Sequence, residues 1–257
     1  MTDRKLMFFT DMGNCYLLPA GQLTETAKAK DRGLPLGGVL AGLENDERLV
    51  ALLDAEDWSG ELLFSTAKGL VKRCKLEDYN IRKSRFAAIG LKNGDRLLSV
   101  QRPDGFESAL LLSRKGMAIY FALEEVSLIG RTAAGVRGMA LSPDDALAFV
   151  FVHNSEGEVV MISDMGYMKR CLLIDFDRQA RGGKGVRAFN FLKNGMNGGS
   201  IAGALMVREP FDFRIVQKSG AMTPCNTEQV AIETRNGRGQ PYVVVVLDDV
   251  VTELVKA

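Results

Sequence analysis

Short apolar runs broken by a glycine-bearing polar turn recur along the whole chain. Five segments carry the pattern: LMFFTDMGNCYLL (6–18), LLFSTAKGLVKRC (62–74), ALLLSRKGMAIYF (109–121), VVMISDMGYMKRC (159–171) and FRIVQKSGAMTPC (213–225). Their turn glycines, Gly13, Gly69, Gly116, Gly166 and Gly220, are separated by 56, 47, 50 and 54 residues. A polar turn whose glycine can take positive φ, set between two apolar runs, predicts a β-hairpin. One hairpin is marginal in water, so a period of about 50 residues predicts an array of units that share a core with their neighbours.

A second repeated feature lies 19 or 20 residues after each turn glycine: Gly33, Gly135, Gly185 and Gly239, with Ala88 in the second repeat. Basic residues surround it in KAKDRG, RKSRFAA, RTAAGVRG, RQARGGKG and RNGRG. Further apolar stretches follow, such as RLLSV (96–100), ALAFV (146–150) and YVVVVL (242–247), so each repeat holds about four strands' worth of sequence. The approximate repeats are 1–58, 59–105, 106–155, 156–209 and 210–257, within a single all-β, propeller-like domain spanning 1–257. Turn glycines interrupt nearly every helical candidate, and LTETAKAK (23–30) is the best short exception.

Composition narrows the class without changing this picture. A hydrophobic share of 46% and a charged share of 25% argue against disorder, and no apolar run approaches the roughly 18 to 20 residues that span a bilayer. The start MTDRKLMFFTDMG is too polar for a signal peptide, and four cysteines without metal-like spacing predict reduced thiols in a cytoplasm. Cys74, Cys171 and Cys225 each stand five residues after a turn glycine, where Leu18 and Phe121 stand in the other repeats. That is a recurring core position, so no metal is expected. His153 is expected at a turn or surface, Trp58 in a linker packing between blades, and the pairs Asp144–Asp145 and Asp248–Asp249 as solubilising groups. No nucleophile motif accompanies the histidine, so no catalytic residue is assigned.

The net charge of +1 predicts no partner, but its distribution does. The first repeat carries ten acidic against six basic residues, whereas the second carries ten basic against five acidic and the fourth eight against six. The richest loop is RQARGGKGVRAF (178–189), with Arg178, Arg181, Lys184 and Arg187 around Gly182, Gly183 and Gly185. A mononucleotide P-loop fits poorly: the lysine of GGKG precedes glycine where a magnesium-binding Ser or Thr belongs, the five-residue glycine spacing is missing, and no βαβ pattern surrounds it.

The T/S-x-x-G hairpins, the R-x-x-x-G loops and above all QARGGKG (179–185) resemble the C-terminal domain of the DNA-cleaving subunit of bacterial type IIA topoisomerases, DNA gyrase or topoisomerase IV. QARGGKG is similar to the gyrase box, Gln-Arg-Arg-Gly-Gly-Lys-Gly, departing from it only at Ala180. The box stands in the fourth of five repeats rather than the first. The resemblance covers nearly the whole chain. It implies a five-bladed β-pinwheel with strands exchanged between blades, and a domain that is not catalytic by itself and needs no cofactor. Its implied role is to bind and bend or wrap duplex DNA for an ATP-dependent topoisomerase, alongside the breakage-reunion core and the ATPase subunit, in the cytoplasm at the nucleoid. The implied phosphate track runs from Lys72, Arg73, Arg82, Lys83 and Arg85 to Lys169, Arg170, Arg178, Arg181, Lys184 and Arg187, with Gly182, Gly183 and Gly185 shaping the loop. Such contacts neutralise backbone charge and read no sequence. The alternative is a propeller-like protein-interaction scaffold with little DNA affinity, as the acidic first repeat suggests.

Overall fold

The computed structural model describes residues 4–23, 32–154 and 156–257. Residues 24–30 of the expected helix, and with them most of KAKDRG, lie outside the described residues.

Each repeat builds one small antiparallel sheet. The expected hairpins form its centre: Lys5–Thr10 with Asn14–Pro19, Glu61–Thr66 with Leu70–Lys75, Ser108–Ser113 with Met117–Ala122, Glu158–Ser163 with Tyr167–Leu172, and Asp212–Gln217 with Met222–Asn226. All five turn glycines take φ between 77° and 88°, which side chains rarely adopt. The Ser or Thr three residues earlier explains the T/S-x-x-G motif. The hydroxyls of Thr66, Ser113 and Ser163 accept from the N–H groups of Leu70, Met117 and Tyr167, each at 3.1 Å, and close the turn from within.

A third strand flanks the first strand of each hairpin: Leu49–Ala55, Leu97–Gln101, Leu147–His153, Ile201–Val207 and Val251–Lys256. The fourth strand comes from the next repeat. Arg85–Ala87 pairs with Asn14–Pro19, Val136–Arg137 with Leu70–Lys75, Val186–Arg187 with Met117–Ala122, and Gln240–Pro241 with Tyr167–Leu172. The fifth sheet has three strands among the described residues.

This register corrects two expectations. Ala87, Arg187 and Pro241 occupy the same place beside the residue after a turn glycine. Arg85, not Ala88, therefore stands where Gly185 and Gly239 stand, and the loop of the second repeat is three residues shorter. The stretch YVVVVL (242–247) forms no strand; it is the connector before the turn at Asp248, and Val251–Lys256 pairs instead. Its continuous apolar run fits a buried strand, yet Val244 is 83% and Leu247 93% exposed.

The aspartates near the turns are structural. Asp95, Asp145 and Asp249 each accept, through one oxygen, the N–H preceding a turn glycine (Lys68, Lys115, Ser219) and the N–H of their own successor, at 2.8–3.0 Å. In the first and fourth repeats the hairpin itself supplies the acid: Asp11 accepts from Arg48 N–H at 2.8 Å and Asp164 from Gly199 N–H at 3.0 Å. Asp145 and Asp249, expected to be solubilising, are thus staples.

The chain divides into two compact units, Met1–Gly105 with Val126–Val136, and Phe106–Glu125 with Arg137–Ala257. Between the first two sheets Phe9, Phe64 and Tyr79 gather at 5.7–5.9 Å between ring centroids, joined by Met7, Leu62 and Trp58. In the other unit, Leu112, Met161, Phe176 and Phe189 fill the space between the third and fourth sheets, and Ile162, Phe213, Ile215 and Val251 that between the fourth and fifth. Strands covered on both faces explain why the runs are apolar without strict alternation.

Candidate nucleic-acid interface

The R-x-x-x-G loops are built on their glycines and arginines. Gly185, at φ 73°, lies so close to the preceding sheet that a Cβ would sit 2.1 Å from Ala118 O; at Gly135 it would sit 2.7 Å from Val71 O. The arginine four residues before each glycine grips backbone carbonyls. Arg181 donates through Nε to Glu125 O at 2.7 Å and through Nη1 to Arg137 O at 2.9 Å. Arg235 repeats the fork on Asp175 O at 3.1 Å and Arg187 O at 2.5 Å. Arg131 donates to Ala87 O and lies 5.0 Å over the Phe86 ring. A planar, permanently charged guanidinium suits such a two-carbonyl grip.

Lys72 and Lys169, expected on a DNA-facing surface, are fully buried. Successive strand residues face opposite sides, and in both Lys-Arg pairs the lysine takes the inner face. Lys72 Nζ donates to Ala88 O at 3.2 Å and to Arg131 O, 4.9 Å from the Phe64 ring centre. Lys169 Nζ donates to Thr234 O, Arg235 O and Gly237 O at 3.1, 2.6 and 3.2 Å, 5.3 Å from Phe189. Burial lowers both pKa values, that of Lys72 to about 8. Neither ammonium can reach a phosphate. Their outward neighbours are engaged too: Arg73 with Val126 O at 2.9 Å and Glu61 at 3.2 Å, Arg170 with Glu158 at 2.9 Å.

The remaining expected residues are more available. Arg82 and Lys83 are exposed in the first compact unit, beside a half-buried Arg85 that is paired with Glu44 at 2.8 Å and lies over Tyr16. In the second unit Arg178, Lys184 and Arg187 are exposed, and Arg178 is only 3.8 Å from an exposed Glu124. Such a surface pair is worth little. Gly182 takes φ 85°, but its N–H donates to Gly138 O at 2.7 Å, so it serves the loop and is not free for a phosphate. Sequence reasoning missed Arg137 and Arg238. Both are exposed, Arg137 two residues after its loop glycine as Arg187 is, and Arg238 one before, as Lys184 is. That shared offset was the available signal.

The other candidates are interior groups. Cys74, Cys171 and Cys225 are buried as expected, and burial raises their thiol pKa values. His153 is 1% exposed, contrary to the expectation of a surface residue. It ends the strand Leu147–His153 with its ring 4.9 Å from Tyr120, and burial lowers its pKa to about 4. Glu47 is buried in the first sheet's periphery, accepting from Thr10 Oγ1, from Asn14 and Tyr16 at 2.8 Å, and from Glu44 N–H at 3.2 Å. Among the described residues no group of three or more His, Cys, Asp or Glu is placed to hold a metal, and no helix is long and apolar enough to cross a membrane.

Comparison with known proteins adds a family to this geometry. The family model described as DNA gyrase C-terminal domain, beta-propeller, matches residues 4–55, 60–104, 107–154 and 157–206. The DNA gyrase A protein of Chlamydia pneumoniae is 32% identical over 243 residues, covering 93% of this chain and 29% of that protein. Its Salmonella typhimurium counterpart is 27% identical, with 93% and 27% covered. The chain thus spans less than a third of the curated relatives it matches. A crystal structure of the C-terminal domain of DNA topoisomerase IV superposes with a TM-score of 0.92 at 24% identity, covering 100% of this chain and 80% of that one. A DNA gyrase A C-terminal domain gives 0.78 at 24%, covering 100% and 83%. These likenesses show the fold, the five-bladed β-pinwheel that the repeats and the resemblance led us to expect.

Proposed function

Because the chain belongs to the DNA gyrase A C-terminal domain family, we propose that it binds the backbone of duplex DNA along its basic loops and bends it for a type IIA topoisomerase. The observation that carries this reading is the placement of charge at the exchanged loops. Arg181, Arg235 and Arg131 spend their guanidinium groups on carbonyls, while Lys184, Arg187, Arg137, Arg238 and Arg178 are left in solvent around them. Fixed loops with cations at their tips neutralise phosphates, release counterions and read no sequence. Arg82 and Lys83 supply a second cluster in the first compact unit.

Bending a site of 20 to 30 base pairs costs on the order of 1 to 6 kcal/mol, so several loops act together. The proposed working partners, in the cytoplasm and on the nucleoid, are the breakage-reunion core and the ATPase subunit. The chain contributes DNA presentation to them, and no catalytic group or cofactor.

The test is titration of a duplex of about 100 base pairs at increasing salt, with circular DNA as a probe of bending. Affinity that falls steeply with salt, together with altered topology of relaxed circles, supports the reading. Undetectable binding at low salt overturns it in favour of a protein-contact scaffold. That second reading draws on the first repeat, whose acidic excess accompanies the exposed Leu34 (68%) and Leu36 (39%).

A further inference from the structure

Two buried cations, Lys72 and Lys169, form no salt bridge among the described residues, and their ammonium groups donate to backbone carbonyls of the basic loops. Lys169 Nζ donates to Arg235 O at 2.6 Å, Arg235 Nη1 donates to Arg187 O at 2.5 Å, and the Arg187 side chain is exposed. The same relay runs from Lys72 Nζ to Arg131 O, and from Arg131 Nη1 to Ala87 O, at the end of the exchanged strand Arg85–Ala87. The residue three beyond the turn glycine is lysine in these two repeats, but Tyr16, Ile119 and Thr223 in the others. A buried unpaired charge is costly. An apolar side chain there, like Ile119, is compatible with the fold, so the lysines answer some other need than core packing.

We propose that Lys169 and Lys72 are positioning residues of the DNA-backbone interface: each buried ammonium gathers carbonyls of the following basic loop, and the arginine so fixed holds an exchanged strand, which carries the exposed Arg187 in one case and directly follows the exposed Arg82 and Lys83 in the other. The inference rests on the DNA-binding reading for its purpose, but the relay itself can be measured without DNA. Loop 181–185, the box-like one, has no such lysine beneath it. There Gly183 approaches Ile119, whose Cδ1 would lie 3.6 Å from an added Cβ, and the Arg181 fork holds the loop from the other side.

The experiment is a double-mutant cycle on the full chain with Lys169→Met and Arg187→Ala, using a duplex of about 100 base pairs as the probe. Lys169→Met should lower affinity about three- to ten-fold, as for one lost phosphate contact, although residue 169 never meets solvent. In the Arg187→Ala background its effect should shrink, with only the remaining cations, such as Arg238 of the gathered loop, left to be misplaced. A loss that persists undiminished in that background, or no loss in either, overturns the proposal, since general weakening of the fold would be additive.

A second reading uses amide hydrogen exchange at Ala188 and Phe189, whose N–H groups donate to Gly116 O at 2.7 and 3.1 Å. Exchange there should quicken about ten-fold in Lys169→Met while the hairpin strands keep their protection. Unchanged or uniformly quickened exchange overturns the relay even if DNA is bound. If the wild-type chain binds no DNA, the functional reading fails while the exchange result still decides the relay. Should Lys169→Met not fold, Arg235→Lys interrupts the same chain one step later, leaving the buried ammonium in place, and is judged by the same two measurements.

Discussion

At the residue scale, the loop glycines set how closely a loop approaches the neighbouring sheet, and one buried acid ties together the first repeat. Gly185 combines φ 73° with a Cβ position 2.1 Å from Ala118 O, so Gly185→Ala brings both backbone strain and a clash with backbone. Its expected cost is on the order of 2 to 4 kcal/mol, read as a lower urea midpoint with unchanged slope. Gly195, also at positive φ but with nothing within 4 Å of its Cβ position, should cost less on the same change. For Glu47, burial alone raises the pKa, but the hydrogen bonds from Thr10, Asn14, Tyr16 and the Glu44 N–H outweigh it, and the net shift is downward. An acid with a lowered folded pKa contributes stability above its unfolded value of about 4.3 and loses it as pH falls through the folded value. The acid limb of the stability profile should therefore be shallower in Glu47→Gln, by unfolding measured between about pH 5 and 3.

At the scale of the elements, hairpins were legible because their signal is local: turn glycine, hydroxyl three residues before it, apolar flanks. The exchanged fourth strand was legible only as a loop, since two or three residues paired with a distant hairpin carry no periodicity of their own. YVVVVL shows the opposite failure, a continuous apolar run that forms no strand. The Lys-Arg pairs were ambiguous by nature, because alternation says that one member points inward without saying which. The answer, lysine inward, has a consequence in pH. Lys72 is held near a pKa of about 8, below its unfolded value of about 10.4, so between these values the unfolded chain binds more protons. Stability should rise as pH climbs through that window, by roughly 1 to 3 kcal/mol, and Lys72→Met should flatten the rise. A profile of Lys72→Met that still climbs as the wild type does would assign the effect to another group.

For the whole molecule, the net charge of +1 conceals its arrangement. Of eleven cations expected to face DNA, Lys72 and Lys169 are inside, while Arg73, Arg170, Arg181 and Arg85 hold carbonyls or carboxylates. Composition could not tell a loop-holding arginine from an exposed one: Arg181 is committed to Glu125 O and Arg137 O, whereas the Arg187 side chain stays in solvent. The division of labour within RQARGGKGVRAF is thus the central proposal: Arg181 builds the loop, and Arg178, Lys184 and Arg187 are the side chains proposed to meet phosphates. The most direct test is the salt dependence of binding to a duplex of about 100 base pairs, comparing the wild type with Arg178→Ala/Lys184→Ala/Arg187→Ala. The slope of log affinity against log salt should become shallower by about 2 to 3, close to 0.9 for each phosphate contact removed, with the unfolding midpoint unchanged. An unchanged slope in that variant would contradict the account.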